Sequence, residues 1–361
     1  MNMVIEQYTI TNKYNFPQPN IDTILPQRFL EQSINSLNQV QHPLQLNHTT
    51  TPQFSTFNQN QSNLQIKQTP ITLKPNRQET IIAAIDTSTI KIGETTKGII
   101  TAVRGATTWL QNHTYKYTRL GPFIFHITED NKKELYNTLE RSYFSKTFGS
   151  YNQINPTLLQ MPTRISNLLE RWLQTMLTKT IKNGVLLFDG SLTAGTPETP
   201  TVRLNEILSN ARKNCSTVLA FSKATTLRSN GILITEQLPK YDPPYLLETE
   251  WIKPNSQMRL LGDVYVARLN RSNFAFRLDI DREIESTERI DAVNKLLGND
   301  LYTQSYPETL RLSHILCTFT ANEVLAIKHF INRKHGIQII NRPDMHRLLF
   351  GSFGFRGEAY A

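Results

Sequence analysis

The sequence predicts an α/β fold, a mixed sheet covered by helices on its faces, and three observations carry that reading. Short apolar runs at 81–85, 185–188 and 217–221 have the length and β-branched content of buried strands. Amphipathic segments at 162–182 and 201–214 alternate with them, as helices do in a layered α/β protein. The stretch 260–280 (LLGDVYVARLNRSNFAFRLDI) reads as a β-hairpin.

In order along the chain, residues 1–20 are polar and aromatic without period. Residues 21–40 predict one amphipathic helix, with Ile24, Leu30, Ile34 and Leu37 at helical spacing and Pro26 near its start. From 41 to 76 the chain is rich in Gln, Asn, Thr and Pro, and is expected to be an extended arm. Residues 1–78 are therefore taken as a separate region, and 79–361 as the folded domain. Within that domain, strands are expected at 81–85, 90–92 and 99–103. A polar helix follows at 129–149, and another at 162–182 with Leu169, Trp172, Leu173 and Met176 on one stripe. Helices are expected again at 284–298, 308–335 and 344–349, with Gly336 as a C-cap and a strand at 337–340.

Composition narrows the function. The chain has 361 residues, 39 Lys+Arg and 30 Asp+Glu, a net charge of +9 that favours a polyanionic partner. No apolar window is long enough for a membrane span and no secretory leader is recognisable, so a cytoplasmic protein without membrane contact is expected. Cys215 and Cys317 are far apart, which excludes a disulfide framework and a CxxC zinc ribbon, and both are read as core thiols. Gly93-Glu94-Thr95-Thr96-Lys97-Gly98-Ile99 begins like a phosphate loop but lacks the Lys-Ser/Thr pair after the second glycine. GxGxxG, HExxH and GxSxG patterns are also missing from the sequence.

Two buried strands end in a carboxylate followed by small polar residues, AAID-TST at Asp86 and LLFD-GSL at Asp189. An ionised Asp there is costly unless a cation or a helix N-terminus satisfies it; each residue taken alone could equally cap its own turn. Glu170 lies on the preceding helix, at the edge of an apolar stripe, where it is either a solvated residue or a third carboxylate. Three carboxylates are the oxygen-rich set that hard divalent cations take. His314, in Tyr306-Pro307-Glu308-Thr309-Leu310-Arg311-Leu312-Ser313-His314, is placed about two turns into a helix with Tyr306 at its mouth; it is either a core histidine or a metal ligand and proton carrier.

Taken in order, AIDTS, the helix Glu before LLFDGSL, AFSKATT, the GDVYVARL…AFRLDI hairpin and YPETLRLSH resemble the NurA nuclease family over roughly residues 79–350. The resemblance implies an RNase H-like core in a homodimer that encloses a channel. It also implies Mn²⁺-dependent (with Mg²⁺ possible) endonuclease and 5′-to-3′ exonuclease action on DNA, in end resection with the HerA hexameric ATPase. Carried over position by position, Asp86, Glu170 and Asp189 become metal ligands, His314 and Tyr306 complete the site, and Lys223 contacts DNA phosphate. Thr87 stands where that family often has glycine, and the Gln/Asn/Thr-rich arm has no counterpart in the resemblance. A non-catalytic DNA-binding adaptor of the same ATPase is the competing reading, and a phosphohydrolase of small esters a third.

Overall fold

The computed structural model describes residues 5–9, 24–38, 64–67, 69–144, 156–251 and 259–340. Eleven strands form the main sheet: β1 (Ile5–Thr9), β2 (Leu64–Ile66), β3 (Ile71–Thr72), β4 (Ile82–Glu94), β5 (Gly98–Gln111), β6 (Thr114–Thr128), β7 (Val185–Asp189), β8 (Thr217–Ser222), β9 (Tyr245–Trp251), β10 (Gly262–Arg268) and β11 (Phe276–Asp281). Seven helices accompany them: α1 (Ile24–Asn38), α2 (Lys132–Phe144), α3 (Met161–Thr180), α4 (Thr201–Lys213), α5 (Ser286–Asn299), α6 (Glu308–Cys317) and α7 (Ala321–His335).

Residues 82–128 are dense in Ile and Thr, whose branched side chains suit a pleated surface, and they form a long antiparallel meander, β4 to β6. Asn112 and His113 turn the second hairpin with φ of 50° and 54°, the left-handed pair that a two-residue β-turn needs. The sheet runs β1-β6-β5-β4-β7-β8-β11-β10-β9-β2, with β3 also on β9. β4, β7 and β8 are mutually parallel and the remaining pairings are antiparallel. The central order is β6-β5-β4-β7-β8 with β5 antiparallel, in keeping with the RNase H-like core that the resemblance implies.

Alternation along the strands builds two cores. Ala83, Ile85, Leu186 and Phe188 pack with α1 to α4; Ile82, Ala84, Val185 and Leu187 pack with α5 and Leu310 of α6. The helix expected at 21–40 is α1; its covered face is Leu25, Phe29, Ser33, Ser36 and Leu37, so Leu37 of the expected stripe is buried while Leu30 and Ile34 are only partly covered. Its burial is within this chain: the Ile124 amide donates to Ser33 Oγ and the His126 amide to Ser36 Oγ, both at 2.9 Å. β2 and β3 likewise pair with β9.

A strap from residue 74 to 80 crosses α5. The Asn76 amide donates to the Asn294 carbonyl at 2.8 Å, and Asn299 Nδ2 donates to the Gln78 carbonyl at 3.0 Å. Gly298 permits this approach, since a Cβ there would stand 1.9 Å from the Asn76 carbonyl oxygen. Gly298→Ala is expected to destabilise the protein by about 1–3 kcal/mol through backbone overpacking, read as a lower midpoint in urea with an unchanged slope.

Three expectations are corrected. The single helix expected over 308–335 is broken at Thr318–Thr320, because Thr320 caps α7 with Glu323 in a reciprocal capping box. Residues 104–128, unassigned from the sequence, are strand, as is β9. Residues 337–340 contribute only an isolated bridge from Ile340 to Glu94, and the helix expected at 344–349 lies outside the described residues. Gly336 is the left-handed C-cap expected, at φ 63°. Among the described residues no helix is long and apolar enough to cross a membrane.

Candidate active site

The two strand-end aspartates meet. Ile85 and Phe188 are the last paired residues of the parallel β4–β7 ladder, and Asp86 and Asp189 are each one step further. By alternation both fall on the α6 side of the sheet, at the carboxyl end of β7 and beside that of β8, where ligands of open α/β sheets bind. Gly190, at φ 102°, turns the chain away immediately after Asp189. Its amide donates to the Phe221 carbonyl at 2.8 Å, and Ser222 Oγ donates to the Gly190 carbonyl at 2.7 Å, tying the ends of β7 and β8 together.

Asp86 is buried, 7% exposed, with one oxygen accepting the Thr87 amide at 2.7 Å and the other 2.7 Å from His314 Nδ1. The helix bearing His314 is anchored on β4, since Ser313 Oγ donates to the Ala84 carbonyl at 3.2 Å. Thr87 links β4 to α3, with its Oγ1 3.1 Å from Ser166 Oγ. Glycine at that position would lack this contact. Glu170, on α3, is 16% exposed and accepts from Gln174 Nε2 at 3.1 Å, with Arg171 at 3.4 Å. Asp189 accepts from Lys223 Nζ at 2.7 Å.

Burial pushes the Glu170 carboxyl above its ordinary range; Arg171 opposes this, while Asp86 and Asp189 add to it. Asp189 is raised for the same reason, with Lys223 holding it down and Asp86 pushing it up. The three carboxylates thus feel one another. Tyr306 is buried against Phe221 and Phe276, with ring centroids 6.2 and 5.2 Å away. Its hydroxyl has no hydrogen-bond partner, and Lys223 Nζ lies 5.8 Å from its ring. Burial, then the charges of Asp189 and Asp86, hold the phenol far above its usual range.

The structure therefore gathers Asp86, Asp189, Glu170, His314, Tyr306 and Lys223 around one end of the sheet. Among the described residues, the ligand atoms of Asp86, His314 and Cys317 lie within 4.8 Å of one another, a set that does not include Asp189 or Glu170. Cys317 is the residue the sequence reading missed, although His314 and Cys317 are three apart on one helix and so share a face. It is the core thiol expected, fully buried, and it also borders the site. Burial pushes its thiol upward, and Sγ donates to the His314 carbonyl at 3.2 Å. Cys215 is exposed, which corrects the other core assignment.

The donor chemistry fits a hard divalent cation. Burial raises the proton affinity of Glu170 and Asp189, with the neighbouring carboxylates adding to it, and that repulsion is relieved by a positive charge beside them. Asp86, Asp189 and Glu170 would hold it, with His314 beside them.

Among solved structures the chain is similar to the NurA nuclease from Sulfolobus solfataricus, at 15% identity and a TM-score of 0.43 over 76% of this chain and 90% of that one. It is also similar to endonuclease V from Bacillus subtilis, at 13% identity and a TM-score of 0.34 over 75% of this chain and 89% of that one. The sequence matches no family model and no curated protein. At these scores the two likenesses carry nothing of the chemistry, which is read from this protein's own residues.

Proposed function

We propose that the protein is a divalent-metal-dependent DNA nuclease. The observation that carries this reading is the side-by-side placement of Asp86 and Asp189 at the end of parallel strands, with Glu170 coupled to both. The net charge of +9 supports a polyanionic substrate. Asp86, Asp189 and Glu170 would hold a divalent ion, which would supply a nucleophile at neutral pH and charge stabilisation on the phosphodiester. His314, oriented through Nδ1 by Asp86, is placed to carry a proton at its other nitrogen. Lys223 neutralises Asp189 in the metal-free site and becomes available to a phosphate oxygen once a cation takes over that role. The unpartnered Tyr306 hydroxyl is a donor awaiting an acceptor.

Following the family resemblance, the proposal extends to Mn²⁺ as the ion, endonuclease and 5′-to-3′ exonuclease action, a homodimer, and work beside a HerA-type hexameric ATPase in end resection. The test is incubation of the purified protein with single- and double-stranded DNA in Mn²⁺, Mg²⁺ or EDTA, with Asp86→Ala alongside. Metal-dependent cutting lost in the variant supports the nuclease. DNA binding without cutting under any metal, even with the ATPase added, would establish the adaptor instead. Cutting of small phosphate esters that duplex DNA does not inhibit would favour a phosphohydrolase.

Tyr306→Phe separates chemistry from packing. Since the hydroxyl has no partner to lose, stability is expected to stay within about 0.5 kcal/mol of the parent while kcat/KM falls roughly tenfold. Thermal melts and initial rates on one oligonucleotide check both halves.

A further inference from the structure

A second basic feature lies at the same end of the sheet. Lys240, Tyr241, Asp242, Pro243, Arg268 and Arg271 line an open cleft of about 480 Å³. Lys240, Tyr241 and Arg271 are exposed, Tyr241 to 57%. No ion pair engages Lys240, Arg268 or Arg271 among the described residues, and Asp242 on the rim is the one acidic lining residue. Arg268 instead donates Nε to the Ser272 carbonyl at 3.1 Å, which shapes the turn carrying Arg271 and the exposed Phe274. Three cations converging on a cleft without carboxylate partners, beside exposed aromatic rings, form a surface suited to a polyanion with stackable bases.

Strand register places this cleft relative to the carboxylates. Asp189 pairs with Phe221, Ser222 with Arg277, Phe276 with Ala267, and Arg268 with Tyr245. The ends of β7, β8, β11, β10 and β9 thus lie along one edge, and the loops holding Lys240, Tyr241 and Arg271 continue past it. Three to four strand spacings separate Asp189 from Arg268 and Tyr245, about 14–19 Å. That is roughly four to six nucleotides at the 3.4 Å rise of a stacked strand.

We infer that this cleft is a holding site for a single nucleic-acid strand, with phosphates on Lys240, Arg268 and Arg271 and a base on Tyr241, upstream or downstream of the bond at the carboxylates. The assignment of the carboxylates as the cutting centre rests on the proposed nuclease function; the binding site itself does not.

Binding of fluorescent oligonucleotides of 3, 6 and 12 nucleotides, single-stranded DNA, single-stranded RNA and duplex DNA, is measured in EDTA for the full chain, Lys240→Glu/Arg271→Glu and Tyr241→Ala. Removal of two phosphate contacts is expected to lower the salt slope for the single-stranded 12-mer by about 1.4, and affinity at least tenfold. Tyr241→Ala is expected to cost about tenfold. The single-stranded 3-mer, long enough to fill the cleft by itself, should lose affinity in both variants as well. Equal losses on single-stranded DNA and RNA fit a strand held by phosphates and stacking; a loss confined to duplex DNA overturns the single-strand assignment. Unchanged affinity and salt slope in correctly folded variants, or no single-strand binding by the parent, overturns the site altogether. If the parent cuts nothing yet the cleft variants lose binding, the nuclease reading fails and the holding site stands.

Discussion

Asp189→Asn is expected to abolish metal-dependent cleavage while leaving the metal-free protein at least as stable as the parent. The two outcomes share one cause. Burial and the neighbouring Asp86 make the Asp189 charge unfavourable, and Lys223, itself 41% exposed, compensates only partly. Removing the charge relieves that repulsion, but takes away an oxygen donor that a divalent ion needs. In the parent, Mn²⁺ at one hundred times its Kd should stabilise the fold by about 2.7 kcal/mol, a rise in Tm of roughly 3–5 °C for a chain of this length. The variant should show little of that rise. Cleavage at the parental rate by Asp189→Asn, or an identical Mn²⁺-induced shift in both proteins, would place the metal elsewhere.

The second large effect is on stability and concerns Asp300, which the sequence reading did not single out. Its carboxylate accepts the Tyr115 hydroxyl at 2.7 Å, the Leu301 amide at 2.9 Å and the Thr309 amide at 3.1 Å, so it joins β6 to the first turn of α6. These bonds favour its charged form, yet burial outweighs them and raises the carboxyl from an ordinary 3.8 to about 6. The folded state therefore holds this proton more tightly than the unfolded chain. Its contribution to stability is fully present below about pH 4 and is lost as pH rises through about 6. At about 1.4 kcal/mol per pH unit, the parent should lose roughly 3 kcal/mol between pH 4 and 7 relative to Asp300→Asn. Paired urea titrations of the two proteins across that range measure the difference. A constant difference would show that Asp300 titrates normally.

The parallel strands and the helices between them were legible because their hydrophobic patterns are local. The run 185–188 with its terminal Asp189 is β7 almost residue for residue, and the stripe at 162–182 is α3. Helix α1 was legible as a helix but only in part by its buried face, because two of its covered positions are Ser33 and Ser36, which bond to β6 backbone and carry no hydrophobic signal. The strands of 104–128 were missed since Thr, Arg, Lys and Tyr obscure the alternation, while β4 to β6 bury much of both faces. The break between α6 and α7 was present in the sequence as Thr320 and Glu323, a capping box inside an otherwise helical pattern.

For the site, sequence alone determined the residue types: two aspartates closing apolar runs, a glutamate on the intervening helix, a lysine after the next strand, and a histidine in a later helix. Which of these meet depends on pairings between residues far apart in the chain, so only the tertiary structure decided it. The parallel register of β4 and β7 sets Asp86 beside Asp189, across about a hundred residues of chain. The seat of α6 on Ala84 brings His314 to Asp86 and carries Cys317 with it. Strand order likewise sets the Lys240–Arg271 cleft on the edge where β7 ends. Local pattern reports what a residue can be, because periodicity and propensity act over a few neighbours. What a residue touches is decided by sheet register and helix packing, which no short window of sequence contains.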